Sequence, residues 1–139
     1  MERTLVLVKP DGVENGHAGA ILARLEATGV KLAAVRMLKI SKATAERHYA
    51  VHKERPFFGS VVSYITSGPV VAAVFEGEDA VVKVRKAMGA TDPSKAELGT
   101  IRKDFAENIE RNAVHGSDSP ETAEFELSLY FKPEDIFSY

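Results

Sequence analysis

Leu5-Val6-Leu7-Val8-Lys9-Pro10-Asp11-Gly12 is the stretch on which the fold turns. Four consecutive apolar residues without alternation suit a strand buried on both faces, and Lys-Pro-Asp-Gly is a turn signature, so a central strand is expected to feed a loop. The apolar run is far shorter than a secretory core or a membrane span and stops at a lysine. A soluble protein is expected.

Downstream, His17 to Thr28 carries Ile21, Leu22 and Leu25 at helical spacing before Gly29, which predicts a helix. Val30 to Ile40 suits a second strand, and Ser41 caps a helix through His48-Tyr49. Phe57 to Thr66 places Phe58, Val61, Val62 and Ile65 on one stripe, a further helix that ends at Ser67-Gly68-Pro69. Pro69 to Phe75 is a buried type of strand, and Asp79 is expected to cap a helix over Ala80 to Met88. The polar stretch from Gly89 to Asp104 is longer than an ordinary connection and is read as a functional loop. A short strand near Asn112 to His115 precedes a helix that begins at Ser119-Pro120, with serine capping and proline at the first helical position.

With the central helices treated as an excursion, the order is strand-helix-strand-strand-helix-strand. That skeleton predicts an α+β fold, a ferredoxin-like sandwich with helices packed on a four-stranded antiparallel sheet. The 139 residues, 45% of them hydrophobic, suit one domain over 1–139 with a real core. Twenty acidic residues against 18 basic give a formal charge of −2, so neither nucleic acid nor a membrane is an obligatory partner. The absence of cysteine excludes disulfides, thiolate zinc sites and a cysteine nucleophile, and suits a cytoplasmic location.

Chemistry concentrates in Arg111-Asn112-Ala113-Val114-His115-Gly116-Ser117-Asp118-Ser119, with Glu126 one helix further on. A histidine leaving a strand before glycine has open space over its ring. Glu126 lies beside the inward stripe of Ala123, Leu127 and Tyr130, and a carboxylate there needs a partner. A hydrogen bond to one imidazole nitrogen leaves the other bare and nucleophilic. Lys9, Arg85 and Arg102, each unremarkable singly, sit near the ends of elements that share one side of the sheet, where they could embrace a polyphosphate. No glycine-rich phosphate loop is present, so binding rests on side chains and Mg²⁺. Phe57 and Phe58 cannot both face the core, which leaves Phe57 free to stack on a base. His17, His48 and His52 read as ordinary surface or helix-face histidines, and no spacing among them and the carboxylates makes a metal site.

The ordered motifs Thr4-Leu-Val-Leu-Val-Lys9-Pro-Asp-Gly12, His48-Tyr49, Arg55-Pro-Phe57-Phe58, Ser67-Gly-Pro69, Thr91-Asp-Pro93, Gly99-Thr-Ile-Arg102 and Arg111 to Ser119 resemble those of nucleoside diphosphate kinases from end to end. The resemblance implies ping-pong transfer of the γ-phosphoryl group of a nucleoside triphosphate, typically ATP, to a nucleoside diphosphate through a phosphorylated His115. It implies that Glu126 orients the imidazole, with Ser117 hydrogen-bonding nearby. Lys9, Tyr49, Arg85, Thr91 and Arg102 are implied as phosphate ligands, Lys9 and Asn112 as ribose contacts, and Phe57 as the stacking residue with Val61 and Ile109 beside the base. Mg²⁺ is implied mainly on phosphate oxygens, with Asp118 in reach through water and no direct protein ligand.

A homo-oligomer is implied too, a hexamer first, with tetramer or dimer open. Leu98 stands where family members often carry proline, Lys103 follows the arginine where a small residue is common, and the chain ends soon after the last helix. These departures bear on assembly more than on transfer. Two other readings stay open: a phosphohistidine carrier that binds no nucleotide, and an idle nucleotide- or nucleic-acid-binding protein on the same fold.

Overall fold

The computed structural model describes residues 1–139. Its sheet contains β1 (Glu2–Val8), β2 (Lys31–Leu38), β3 (Val70–Gly77) and β4 (Val114–Gly116), in the spatial order β2-β3-β1-β4. All three pairings are antiparallel, which is the ferredoxin-like arrangement that the element order predicts.

β1 and β3 lie in the middle, and Leu5, Val6, Leu7 and Val8 are fully buried. Both faces of the sheet are covered, so the central strands read as continuous apolar runs rather than alternating ones. On one face Val6, Val8, Val71, Ala73 and Phe75 meet Ile21 and Leu25 of α2 (Ala18–Glu26) and Val84 and Met88 of α5 (Ala80–Met88). On the other, Leu5, Leu7, Val70, Ala72 and Val74 meet Ala45 of α3 (Lys42–His48), Val62 and Ile65 of α4 (Phe58–Ile65), and Tyr130 and Phe131 just past α7 (Pro120–Ser128). The period of two along β1 thus sorts its side chains between two cores. No helix is long and apolar enough to cross a membrane.

Several local expectations are corrected. The Lys9-Pro10-Asp11-Gly12 turn opens a short helix, α1 (Pro10–Glu14), because Pro10 occupies a first-turn position where its missing N–H costs nothing. The stretch from Gly89 to Asp104 is only partly irregular. It contains a 3₁₀ turn at Pro93–Lys95, and α6 (Ile101–Phe105), which Thr100 caps by accepting from Lys103 N. A single turn with Ile101 buried carries too few residues to display a period in sequence. Asp79 does not cap α5 with its side chain; it sits in the left-handed region at φ 52°. Ser41 and Ser119 do cap α3 and α7. Val61 is half-buried, whereas Val62 and Ile65 enter the core.

Gly12 lets α1 approach the strand ends closely. A Cβ there would stand 2.8 Å from Val8 Cγ1 and 2.9 Å from the Ala113 carbonyl oxygen, and the second contact is backbone that cannot swing aside. Gly12→Ala is expected to destabilise the fold by about 1–3 kcal/mol, read from urea unfolding; a loss near zero would mean that the Ala113 segment yields freely.

Candidate active site

The site is assembled where β1 and β4 end. β4 pairs with β1 so that His115 lies opposite Leu7, and cross-strand partners share a face. His115 is therefore directed to the Leu5 and Leu7 side, the face covered by α3 and α7. The preceding backbone is unusual. Ala113 has φ 73° and Val114 N donates to Asn112 O at 2.9 Å, a three-residue turn that costs on the order of 1–3 kcal/mol for a residue with a Cβ. Buried Asp11 holds it, its Oδ2 accepting from Ala113 N at 3.0 Å, while Lys9 N donates to Ala113 O at 2.9 Å. Tyr64 in turn donates its hydroxyl proton to Asp11 Oδ1.

α7 begins with a reciprocal Ser119–Thr122 capping box and Pro120 in its first turn, and it carries Glu126 inward to 8% exposure. Glu126 Oε1 accepts from His115 Nε2 at 3.0 Å and from Ser117 Oγ at 2.8 Å. Glu126 Oε2 lies 3.5 Å from His48 Nε2. The expectation that His48 is an ordinary surface or helix-face histidine is corrected: as the last residue of α3 it is buried, and its Nδ1 lies 2.7 Å from the Tyr130 hydroxyl. Sequence spacing hides this because 67 residues separate His48 from His115. The available signal was the motif His48-Tyr49 at the end of a capped helix. His48, His115 and Glu126 also form the one group of potential metal-binding side chains in the chain, contrary to the sequence expectation.

One proton arrangement satisfies these groups. Tyr130 donates to His48 Nδ1, His48 directs its Nε2 proton to Glu126 Oε2, and His115 gives its Nε2 proton to Glu126 Oε1. His115 Nδ1 then keeps a free lone pair. Burial lowers the imidazole pKa of His115, its hydrogen bond to Glu126 pulls it back, and nearby His48 and Lys9 lower it further, for a net decrease. Burial pushes the Glu126 carboxyl upward, but hydrogen bonds and charge from His115 and His48 outweigh this and hold it well below the usual carboxylate range. Tyr49, whose ring stacks on His48 with centroids 4.5 Å apart, is kept protonated by burial and by the charge of Glu126.

The cations converge beside this cluster. Lys9 Nζ donates to Asn112 Oδ1 at 2.8 Å, and Asn112 Nδ2 donates to Thr91 O at 3.3 Å. Arg102, buried, donates to Gly89 O at 3.1 Å and Val114 O at 2.8 Å, and its Nε has no partner. Burial and Arg102 lower Lys9 from 10.5 to about 8, against a smaller upward pull from Asp11. Burial and Arg85 lower Arg102 to about 10. Neither Lys9 nor Arg102 has a carboxylate salt-bridge partner, whereas exposed Arg85 meets Asp118 at 2.7 Å. Buried cations that repel one another and lack salt-bridge partners make a site for an added anion.

The remaining expected residues are less gathered. Phe57 is 45% exposed at the start of α4, its ring tilted against His52 at 5.5 Å, while Phe58 packs inward. Val61 follows one turn later on the same side of α4. Ile109 is 55% exposed and lines a surface hollow with Asp92 and Lys103. No ring contact or hydrogen bond joins these three to His115.

Residues 2–136 match the family described as nucleoside diphosphate kinase. The chain is 60% identical, over its whole length and 98% of the relative's, to the nucleoside diphosphate kinase of Dehalococcoides mccartyi strain 195. It is 57% identical, over its whole length and 95% of the relative's, to that of Anaeromyxobacter sp. strain K. The Aquifex aeolicus nucleoside diphosphate kinase superposes with TM-score 0.95 at 44% identity, covering 98% of this chain and 99% of that one. The Halobacterium salinarum enzyme in complex with CDP does so with TM-score 0.95 at 45% identity, covering 99% and 92%.

The His115 ring is expected to carry its proton on Nε2 and to titrate with a midpoint below 6.5, since the largest influence is burial disfavouring the cation. Long-range ¹H–¹⁵N NMR of the ring, assigned by its loss in His115→Ala, reads both; a midpoint above 6.5 would show that Glu126 dominates instead.

Proposed function

The chain belongs to the nucleoside diphosphate kinase family, and from that premise we propose how its own residues carry the transfer of a γ-phosphoryl group from a nucleoside triphosphate, typically ATP, to a nucleoside diphosphate. The reaction is ping-pong. In the first half the His115 Nδ1 lone pair forms a bond to the γ-phosphorus while the bond to the bridging oxygen breaks and its electrons leave with the diphosphate. In the second half a terminal oxygen of the acceptor diphosphate attacks that phosphorus and the N–P bond breaks, restoring the imidazole.

One observation carries this assignment of roles: the imidazole that Glu126 holds at Nε2 feels the charge of Lys9, while Arg102 and Arg85 donate to the carbonyls of Val114 and Gly116 on either side of it, and neither Lys9 nor Arg102 has a salt-bridge partner. As Nδ1 bonds to phosphorus the ring becomes positive, and Glu126, hydrogen-bonded at Nε2, stabilises that charge without moving. Ser117 fixes the Glu126 oxygen. Lys9, Arg85 and Arg102, with Tyr49 and Thr91, bind and orient the phosphates, so acceleration comes from position and charge. Lys9 and Asn112, already linked, take the ribose hydroxyls. Phe57 stacks on the base between Val61 and Ile109, which suits weak base discrimination because every base has a π face.

Mg²⁺ is the divalent ion of this reading. The donor set fits an ion carried by the substrate. The Glu126 oxygens face His115, Ser117 and His48, and Asp118 is the exposed carboxylate beside the cations, placed to hold the ion through water. When bound, the ion offsets phosphate charge.

We place the enzyme in the cytoplasm, as one domain over 1–139 and as a homo-oligomer, a hexamer or else a tetramer. Val35 at 50% and Met37 at 62% exposure on the edge strand β2 support association. A net charge of −2 gives no support to an obligatory nucleic-acid partner.

Incubation with γ-labelled ATP is expected to leave an acid-labile, base-stable label on the protein that GDP removes as labelled GTP. His115→Ala is expected to abolish both steps, and full activity in that variant would refute the assignment. Phe57→Ala should weaken nucleotide binding by about 1–3 kcal/mol with turnover at saturation little changed; unaltered affinity for every nucleotide would return Phe57 to a covering role.

A further inference from the structure

His48 Nε2 lies 3.3 Å from His115 Nε2, His115 Nε2 lies 3.0 Å from Glu126 Oε1, and His48 Nε2 lies 3.5 Å from Glu126 Oε2. A tetrahedral ion with imidazole and carboxylate ligands at about 2.0–2.2 Å requires neighbouring donors roughly 3.3–3.6 Å apart. The two imidazole nitrogens already have the spacing of one edge of such a tetrahedron, the carboxylate turns one oxygen toward each of them, and one donor atom from each residue lies within 4.8 Å of the other two.

We propose that His48, His115 and Glu126 form an inhibitory binding site for a zinc-class divalent cation, with two imidazole nitrogens, one carboxylate oxygen and a fourth position left for water. Two nitrogen ligands favour zinc, cobalt, nickel or copper over magnesium, which demands oxygen ligands. The outer shell suits the ion as well. Ser117 Oγ donates to Glu126 Oε1 at 2.8 Å and orients the carboxylate. The Tyr130 hydroxyl, 2.7 Å from His48 Nδ1, can turn from donating to accepting, and so holds His48 in the tautomer that frees Nε2 for a metal.

The inhibition follows from proton placement. A neutral His115 that gives Nε2 to the ion must carry its proton on Nδ1, and the lone pair that attacks phosphorus is then gone. Metal binding depends on the geometry alone; its inhibitory effect rests on the proposed role of His115, and the two are read separately.

The test uses the full chain without nucleotide. One Co²⁺ per chain is expected to give the intense visible absorption of a tetrahedral ion, and Zn²⁺ is expected to displace it. His48→Asn and Glu126→Gln should each weaken binding by at least about tenfold, while His17→Asn and His52→Asn, outside the cluster, should retain it. Zinc-loaded protein should take no label from γ-labelled ATP until a chelator removes the ion. A weak octahedral cobalt spectrum from the wild type would overturn the proposal, and this reading needs no variant to fold. Unchanged one-per-chain binding in both His48→Asn and Glu126→Gln would overturn it too. Missing label in zinc-free wild type tells against the phosphotransfer reading instead, and the cobalt spectrum still decides the metal site.

Discussion

Glu126 keeps a negative charge at 8% exposure, and a charge so placed persists only where donors surround it. His115 and Ser117 meet one oxygen and His48 approaches the other, so one carboxylate fixes groups from α3, β4, the turn after β4 and α7. The arrangement is reciprocal. The imidazoles keep the glutamate ionised, and the glutamate holds the Nε2 proton that leaves His115 Nδ1 bare. Removing it would leave two imidazoles donating Nε2 protons with no acceptor, so both the contact between α3 and α7 and the proton placement on His115 depend on it.

The neighbouring cations state the opposite condition. Lys9 and Arg102 are removed from water without a salt-bridge partner; burial lowers both, helped by Arg102 at Lys9 and by Arg85 at Arg102. Such groups persist because carbonyls and Asn112 accept from them and because the doubly covered sheet holds their backbones still. The turn at Ala113 shows the same trade, with a costly φ held by the Asp11 carboxylate and the Lys9 amide. A fold that stores repulsion and strain in one place, offset by two apolar cores, has a site ready for a polyanion.

Much of this was legible in residues alone. The unbroken apolar run at Leu5 to Val8 announced a strand covered on both faces, and the caps at Ser41 and Ser119 announced α3 and α7. The sequence Asn112 to Ser119 with Glu126 marked the groups that meet at His115, because a carboxylate on an inward helix stripe must have a partner. His48 escaped notice because its partners lie at residues 115, 126 and 130, and no local period records such a meeting. α6 escaped because one helical turn shows no repeat, and the role of Asp11 was hidden by its place in an apparent turn.

The amino-acid order by itself determined which segments could be strands or helices, and it supplied the imidazole, carboxylate and cationic side chains that the fold gathers. Those properties follow from periodicity, caps and side-chain chemistry, all of them short-range. Only the tertiary structure decided which nitrogen of His115 is free, that His48 and Tyr130 complete its surroundings, and that Lys9 and Arg102 go without counter-ions. Each depends on distances between residues remote in the chain, and those distances are set by the pairing of β1 with β4 and the packing of α3 and α7 on one sheet face.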